Sequence, residues 1–501
     1  MAKIAPIDHN WRLVMSQSLF DRMRRHLFPG DADEHGAVIT AGVARTVRGT
    51  RLLARELYLA ADEVSYVAGK RGYRMLKADF IAKHITTCRD EQLAYLAVHN
   101  HGGRDHVAFS ADDMRSHERG YPALLDIAEG MPVGALVFAE NAVAGDIWLP
   151  GERRVVLAGA DVVGPRLQRL APAPEKHIGK ADARYDRQAR LFGDAGQGIL
   201  AGCKVGIIGL GGAGSLVAEY LGRLGVGVFL LCDPERAEGT NIPRLTAATY
   251  WDALSPWSDL TSPIWLQKIA SRFAKPKVLL ARRNILRANP KAQIDAIFGD
   301  FLESETAAKF ADCDYIFLTA DTMRARLLFN AIVHQYLIPG VQVGAKVRVD
   351  QPSGEIVDIY SVVRPVSPDC GCLICNRLIN SAKLQEESIS AENLKRQCYV
   401  EEPEVVAPSV ITLNATAVGQ AANDFLMYIT GLRDPAAPST YMRFQPQQRA
   451  VTFDATSKLP TCTECSTGSR SRLARGDARR LPTIERVRKS ADHNWFRQPE
   501  R

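Results

Sequence analysis

Residues 204–244 read KVGIIGLGGAGSLVAEYLGRLGVGVFLLCDPERAEGTNIPR, and this stretch decides the fold of the chain. Its first part, residues 205–208, is a short apolar run typical of a β-strand. Gly209, Gly211 and Gly214 follow this run as G-x-G-x-x-G. Glycines at this spacing turn a chain sharply and let its backbone approach a phosphate. The stretch therefore begins with a predicted strand that leads into a phosphate-binding loop.

The residues after these glycines predict the rest of a nucleotide-binding βαβ unit. Gly212 lies in the same loop and is expected at the nucleotide. Residues 216–224 are apolar at helical spacing, so the free N–H groups of that helix would face the same anion. Residues 226–232 predict a parallel strand that is buried on both faces, and Asp233 ends it where a carboxylate can bond ribose hydroxyls. Taken alone, this pattern favours a dinucleotide-dependent oxidoreductase.

The flanking motifs favour a different nucleotide chemistry. Upstream lies ARYDRQARLFGDAGQGIL at residues 183–200, and downstream lie AKPKV at 274–278 and YIFLTAD at 315–321. In order and spacing, these pieces resemble the ThiF/MoeB and ubiquitin-activating (E1-like) adenylating family over roughly residues 184–465. The resemblance implies a Rossmann-like α/β domain, bounded here as residues 184–468, that uses ATP and Mg²⁺.

The same resemblance assigns roles to five polar residues. Asn241, Arg244 and Lys277 match residues that contact the nucleotide phosphates, and Asp321 matches the aspartate that holds magnesium. Arg187 matches an arginine supplied across a homodimer interface, although it could also be an ordinary arginine on a helix surface. Attack of a carboxylate on the α-phosphate builds charge on a pyrophosphate leaving group, so cations must be in place beforehand.

Residues 1–165 predict a separate α/β unit that contains a metal-ligand spacing. His99 and His101 alternate on an apolar strand, so their imidazoles share one side. Ser110 follows as a plausible N-cap of a helix that carries Asp113. Two imidazoles and a carboxylate leave the fourth zinc position open for water, as in catalytic zinc sites. A single histidine of this kind is more often an ordinary core or surface residue.

The H-x-H and S-x-x-D pattern resembles the JAMM/MPN metalloprotease family, whose pattern adds an upstream glutamate as general base. Glu34 matches that glutamate. The resemblance implies that zinc polarises a scissile carbonyl, that Glu34 moves the water proton, and that Ser110 bonds the oxyanion. The family usually has proline after the second histidine, whereas Gly102 stands here. The alternative is a relic that binds without metal.

Ten cysteines in a chain with cytoplasmic features are better interpreted as metal ligands, a nucleophile and buried hydrophobes than as disulfides. Cys372 and Cys375 form one C-x-x-C pair, and Cys462 and Cys465 form another. Two such pairs predict a closed structural zinc site, since four thiolates leave no position for water. Cys370 is a spare that could substitute.

Cys398 stands alone in a polar segment of about residues 380–408. RQCYVEEP resembles the crossover loop on which activating enzymes of the autophagy type carry their acyl-accepting cysteine. Adjacent basic residues favour a thiolate there. The alternative is an incidental loop cysteine. Residues 166–183 predict a linker, and the arginine-rich residues 469–501 predict a basic flexible tail.

The composition is that of an ordinary soluble protein, with 46% hydrophobic residues, 24% charged residues and a net charge of +7. The charge does not require a nucleic-acid partner. No apolar run is long enough to span a membrane and no signal peptide is evident, so we expect a cytoplasmic protein.

These features together predict a two-enzyme fusion, similar to those of bacterial ubiquitin-like conjugation operons. A zinc isopeptidase would act on bonds formed by the C-terminal glycine of a ubiquitin-like protein. The second half, expected as a homodimer, would adenylate that glycine, take it onto Cys398 as a thioester and pass it to a conjugating (E2-like) enzyme. The alternatives are formation of a thiocarboxylate on a sulfur-carrier protein and a scaffold without turnover.

Overall fold

The computed structural model describes residues 10–67, 74–151, 153–174, 179–258, 261–350, 355–387 and 408–485. These residues form two eight-stranded sheets, one in each half of the chain. No helix in the described ranges is long and apolar enough to cross a membrane.

The elements of the N-terminal half are β1 (Trp11–Ser16), α1 (Gln17–Leu27), β2 (Gly36–Thr46), β3 (Gly49–Leu59), α2 (Asp62–Ser65), α3 (Ala78–Asp90), β4 (Ala94–Asn100), α4 (Ala111–Ile127), β5 (Val133–Phe138), β6 (Val143–Leu149), β7 (Arg153–Val163) and β8 (Leu167–Leu170).

The first sheet has the order β1-β3-β2-β4-β5-β6-β7-β8, and β1 also pairs with β7, which closes the sheet on itself. Along β4, Leu96 and Val98 pack into the core that α1 covers, whereas Tyr95 packs under α3 and α4. Because side chains alternate along a strand, His99 lies on the α4 side. This alternation brings the histidine to the helix that carries Asp113.

The elements of the C-terminal half are α5 (Asp186–Gly202), β9 (Lys204–Ile208), α6 (Gly212–Leu224), β10 (Val228–Asp233), α7 (Ser255–Ser258), α8 (Ile264–Phe273), α9 (Lys277–Ala288), β11 (Gln293–Phe298), α10 (Ser304–Phe310), β12 (Tyr315–Leu318), α11 (Met323–Tyr336), β13 (Gly340–Val349), β14 (Ile356–Val366), α12 (Ser381–Glu386), α13 (Ile411–Ile429), β15 (Tyr441–Gln445) and β16 (Ala450–Asp454).

The second sheet has the order β11-β10-β9-β12-β13-β14-β15-β16. The five strands from β11 to β13 are parallel, and β14 to β16 extend the sheet by antiparallel pairing. The strand order reverses between β9 and β12. In open α/β sheets, ligands bind at the carboxyl ends of the strands at such a reversal. The predicted Rossmann-like unit is confirmed, and its ligand edge lies where β9 and β12 end.

Two predicted boundaries differ from the structure. The predicted linker at 166–183 begins with β8, which pairs with β7 and belongs to the first sheet. Residues 469–485 of the predicted tail are not a tail, because Ser471 and Ala474 are only 1% and 0% exposed. The polar composition predicted a solvated tail, but residues 471–476 are buried, and the side chains of Ser471 and Arg472 hydrogen-bond within the protein. Residues 486–501 lie outside the described ranges.

Residues 466–476, which we term the strap, directly follow the second cysteine pair and contact both halves. The strap bonds α11 through Ala474 N to His334 O at 2.8 Å and through Gly476 N to Gln335 O at 3.0 Å. On the other side it meets β3, where buried Arg55 donates to Gly468 O at 2.7 Å. The strap therefore links the N-terminal sheet to the nucleotide-binding fold.

Candidate functional site

The glycine loop is held close to the turn that follows β12. Gly209 has a positive φ of 85°, and a Cβ there would lie 2.9 Å from Ala320 N. A Cβ on Gly214 would overlap the carbonyl oxygen of Gly209. Thr319 Oγ1 donates to that same carbonyl at 2.7 Å. Two of the three pattern glycines are thus required by close packing where β9 and β12 end.

There is space beside Gly211, the N-cap of α6. A Cβ on Gly211 would meet no atom within 4 Å, whereas one on Gly212 would lie 2.5 Å from Asn414 Nδ2 and 3.4 Å from Arg244 Cδ. Arg244 therefore lies against the glycine loop, and its contact with the phosphates stays a prediction. Asn414, on α13 and only 5% exposed, was missed because it is distant in sequence. Free helix N–H groups beside a cation fit a phosphate.

Asp233 supports the glycine loop from inside. It is 5% exposed, and its carboxylate accepts from Leu210 N at 2.5 Å and from Glu235 N at 2.8 Å. Burial raises the pKa of Asp233, while the bond from Leu210 and the charge of Lys277 oppose this shift. The structure thus shows a loop-positioning role, and a contact with ribose stays a prediction.

The cations predicted at the phosphates differ in their surroundings. Lys277 begins α9, is 6% exposed and pairs with Glu235. Arg244 is half-buried and donates to Thr240 O at 2.9 Å. No carboxylate pairs with Arg244 in the described parts of the chain. Asn241 is 7% exposed in a short 3₁₀ turn. Arg244 is therefore the cation available to an anion without first breaking an ion pair.

Three further predicted residues are less constrained by the structure. Asp321 is exposed in the turn between β12 and α11, at the ligand edge. Arg187 is exposed on α5, with no carboxylate partner among the residues that the structure describes. Exposure is compatible with a role across an interface, and both assignments stay predictions. Cys398 lies outside the described ranges.

The predicted metal ligands of the N-terminal half meet in space. His99 Nε2 lies 3.6 Å from Asp113 Oδ1, His101 Nε2 lies 3.3 Å from Asp113 Oδ2, and the two Nε2 atoms are 3.3 Å apart. His101 Nδ1 lies 3.0 Å from Ala108 O, a contact that requires hydrogen on Nδ1 and leaves the Nε2 lone pair facing the other ligands. Two imidazole nitrogens and a carboxylate are a suitable donor set for zinc.

Asp113 is fixed by a capping box. Ser110 Oγ accepts from Asp113 N at 3.1 Å and donates to Asp113 Oδ2 at 2.7 Å, which confirms the predicted N-cap. Burial raises the pKa of Asp113, but bonds to His99 and Ser110 outweigh it and the pKa lies well below its usual range. The Ser110 hydroxyl would have to turn away from Asp113 to bond an oxyanion, so that role stays a prediction.

Glu34 lies beside the histidines at the end of an open cleft. Its Oε1 is 3.7 Å from His101 Nε2, and burial raises the pKa of its carboxyl group against the opposing charges of the histidines. Asn100 Oδ1 accepts from His35 N at 2.6 Å, which ties the Glu34 segment to the histidine strand. This link was not predicted. The cleft, of about 1030 Å³, is lined by Glu34, His101 and residues of α1.

The two cysteine pairs meet in one buried cluster, as predicted. The Sγ atoms of Cys372 and Cys375 are 3.5 Å apart, those of Cys372 and Cys462 are 3.6 Å apart, and those of Cys375 and Cys465 are 3.6 Å apart. Zinc–sulfur bonds of about 2.3 Å in a tetrahedron give sulfur separations of about 3.8 Å. Four buried thiols at this spacing fit a structural zinc ion. Cys370 is not a member of the cluster.

Known proteins are similar to this chain over part of its length. The ThiF family profile matches residues 185–465. A tRNA threonylcarbamoyladenosine dehydratase of Bacillus subtilis is 28% identical over 35% of this chain and 62% of its own length. The molybdopterin-synthase adenylyltransferase of Escherichia coli is 31% identical over 33% of this chain and 59% of its own length. This chain thus spans about three fifths of the length of these curated relatives.

The solved structure of Escherichia coli MccB with ATP is 18% identical, with a TM-score of 0.42 over 57% of this chain and 75% of that one. The family match alone covers more than half of the chain and includes the glycine loop, the β12 turn and both cysteine pairs. The chain belongs to the ThiF family.

Proposed function

We propose that the C-terminal half adenylates the C-terminal carboxylate of a small ubiquitin-like protein with ATP. A carboxylate oxygen would bond to the α-phosphorus. The bond between the α-phosphorus and the oxygen that bridges it to the β-phosphate would break, and pyrophosphate would leave. The observation that carries the proposal is the ligand edge, where the N-terminus of α6 lies beside Arg244 at the strand-order reversal. Membership of the ThiF family supports it.

The residues at this edge have distinct tasks in the proposed reaction. The free N–H groups of α6 would bind phosphate oxygens, and Arg244 and Lys277 would balance the charge that grows on pyrophosphate. Lys277 would first have to break its ion pair with Glu235 and then pair with the phosphates. Asp321 would hold a magnesium ion, which supplies further positive charge at the phosphates. Arg187 would act from the second subunit of a homodimer.

We further propose that Cys398 then receives the acyl group as a thioester, with release of AMP, for transfer to a conjugating enzyme. The alternative is thiocarboxylate formation on a sulfur carrier. A relative in Caenorhabditis briggsae named "Adenylyltransferase and sulfurtransferase MOCS3", 44% identical over 40% of this chain and 43% of its own length, favours that alternative. A thiol-sensitive adduct on Cys398 supports conjugation, and a gain of sulfur mass on the carrier supports sulfur transfer.

The adenylation step can be tested with two variants. Asp321→Ala is expected to abolish carrier-dependent exchange of pyrophosphate into ATP, because the phosphates lose their magnesium. Cys398→Ala should retain the exchange, because the thiol acts only after the adenylate forms. Equal loss of exchange in both variants, with both folded, would contradict this order of steps.

For the N-terminal half we propose a zinc-dependent isopeptidase that cleaves bonds formed by the C-terminal glycine of the same ubiquitin-like protein. The contacts among His99, His101 and Asp113, with Glu34 beside them, carry this second proposal. Zinc bound there would polarise a carbonyl and acidify its bound water. Glu34 would take the water proton and pass it to the leaving amine.

This site can be tested in the full-length protein, where the strap keeps its contacts with the N-terminal sheet. Wild-type protein is expected to hold about two zinc ions per chain, one at each proposed site. His101→Ala should lose one zinc, and Glu34→Gln should keep both while losing cleavage of a carrier fusion, because the glutamate is not a ligand. Normal cleavage by Glu34→Gln would show that another group is the base.

A further inference from the structure

Three arginines of the C-terminal half are half-buried and have no carboxylate partner among the residues that the structure describes. Arg364 of β14 donates to Gln342 Oε1 at 2.8 Å, and Arg326 of α11 donates to a backbone carbonyl at 3.2 Å. The Arg443 guanidinium lies 4.6 Å from the centre of the Tyr360 ring. The Nε atoms of Arg326 and Arg443 are buried without any hydrogen bond. In the described ranges, no ion pair within 4.0 Å involves these arginines. We term them the arginine face.

The arginine face lies beside the ligand edge. Gln342 pairs with Leu318, the last residue of β12, and on its other side with Arg364. Arg443 on β15 lies opposite Val362, which is two residues before Arg364 on β14. Both arginines therefore project from the same side of the sheet. The other side is packed against α13. Asp321 follows three residues after Leu318. The arginine face is therefore two to three strands from the end of β12.

Among the residues that the structure describes, the charges around the arginine face do not balance. Burial lowers the pKa of Arg364, and repulsion from Arg326 and Arg443 lowers it further. Burial also lowers the pKa of Arg326, which Asp321 and Glu387 only partly offset. The Glu387 carboxylate already accepts from two backbone N–H groups at the start of α11, at 2.8 and 2.9 Å. Half-buried cations without counterions are costly, so a bound anion would be stabilised here.

The nucleotide is in the wrong place to be this anion. Adjacent strands are about 4.8 Å apart. Arg364 is three strands from β9 and Arg443 is four, which places them about 14 and 19 Å from the strand that ends in the glycine loop. Asp233, at the end of β10, lies on the far side of β9. A nucleotide bound between the glycine loop and Asp233 would extend away from the arginines, so it does not supply this anion.

We propose that the arginine face binds an acidic side chain in the C-terminal tail of the protein that this half activates. This inference rests on the proposed adenylation. The reacting carboxylate must meet the α-phosphate near the end of β12, about 10 Å from Arg364 and about 14 Å from Arg443. An extended peptide rises about 3.3 Å per residue. The acidic residue is therefore three to five positions before the C-terminal carboxylate.

The test uses full-length protein and labelled synthetic decapeptides that end in Gly-Gly. One peptide has Glu four positions before the terminus, and matched peptides have Ala or Lys there, or Glu eight positions before it. Binding is measured by fluorescence anisotropy at low salt. We expect the first peptide to bind about tenfold more tightly than the Ala peptide, because it gains charge-assisted hydrogen bonds. Lys in that position should weaken binding, and Glu at the distant position should give no gain.

Arg364→Gln and Arg443→Gln should each lower the affinity for the Glu peptide towards that of the Ala peptide. Arg282→Gln, at an exposed arginine on α9, is the matched control and should change neither affinity. The two test variants should melt no lower than wild type, because each removes a repelled charge. Loss of binding with an unchanged melting temperature would exclude unfolding as its cause.

Equal binding of the Glu and Ala peptides would overturn the inference, as would a Glu advantage that survives in both arginine variants. Pyrophosphate exchange is measured on the same samples. The Glu peptide could bind in an arginine-dependent manner while no peptide supports pyrophosphate exchange. That result would separate the acidic-tail site from the proposed adenylation. The acidic-tail site would then stand, and adenylation of that tail would not.

Discussion

Replacing Arg55 by methionine should loosen the strap. Arg55 lies on β3 and is 2% exposed. Its guanidinium donates to Leu473 O, to Gly468 O at 2.7 Å and to Ser471 Oγ at 3.2 Å. Burial, then the charge of Arg475, lowers its pKa to about 10, so it is still protonated at neutral pH. Methionine keeps much of the aliphatic packing and removes every one of these donors.

The expected loss follows from the number and burial of these bonds. A hydrogen bond to a charged group contributes about 1.5–3 kcal/mol. When the wild-type strap opens, the Arg55 guanidinium regains its hydration, which offsets part of the total from its hydrogen bonds. We therefore expect the strap to be destabilised by about 3 kcal/mol, which corresponds to about a hundredfold increase in its local opening.

Amide hydrogen exchange measured by mass spectrometry reports this opening directly. Exchange should accelerate at Ala474 and Gly476, whose amides bond α11, while peptides from the glycine loop stay unchanged. Arg24→Met is the matched control, because Arg24 pairs with Glu140 at the surface with 42% of its side chain exposed. Unchanged exchange in the strap of Arg55→Met would refute the claim that this guanidinium holds it.

Three further predictions concern other parts of the chain. Cys462→Ser should lose about one metal ion and melt at a lower temperature, whereas Cys398→Ser should change neither quantity; a fully metallated Cys462→Ser protein would disprove a shared site. Mixing Arg187→Ala with Asp321→Ala subunits should restore pyrophosphate exchange that each lacks alone, and failure would contradict a role across the dimer. Burial lowers the pKa of His334 to about 4, below its unfolded value, so stability is full above about pH 6.5 and falls by about 3 kcal/mol towards pH 4. In His334→Leu, the melting temperature should depend less on pH in that window. An unchanged pH dependence of the melting temperature would exclude His334 as its source.

The sequence predicted both candidate sites because their geometry is local. The glycine loop and its flanking strands lie within residues 204–244, and backbone geometry alone brings them together. Strand alternation and a helix cap likewise bring His99 to Asp113, fourteen residues later in the sequence. Asn414 and Asn100 were missed because the groups they contact come from other elements of the fold. No local pattern distinguishes such an asparagine from an ordinary polar residue.

The strap was mispredicted because its arginines resemble those of a solvated tail. Composition records how many cations a segment has, but it does not record what they bond. Arg475 is 8% exposed and donates to Glu91 at 2.8 Å, and Arg472 pairs with buried Glu464 at 3.1 Å. Glu91 lies in the N-terminal half and becomes available only after the halves pack together, whereas Glu464 lies eight residues before Arg472 and must be buried with it. The burial of these arginines is therefore a tertiary effect.

Two groups of buried arginines differ in their acceptors, and this difference distinguishes arginines that stabilise the fold from arginines that we propose bind a ligand. In and around the strap, Arg55 and Arg475 have carbonyl or carboxylate acceptors, so their burial is compensated within the chain. On the arginine face, Arg364 and Arg326 each donate to one carbonyl oxygen, but Arg364 and Arg443 repel each other and have no carboxylate acceptor in the described ranges. A fold gains nothing from such a cluster by itself, since uncharged side chains of similar size would pack there at lower cost. The arginine face, whose charge has no carboxylate partner among the described residues, is therefore the group for which we propose an external anion.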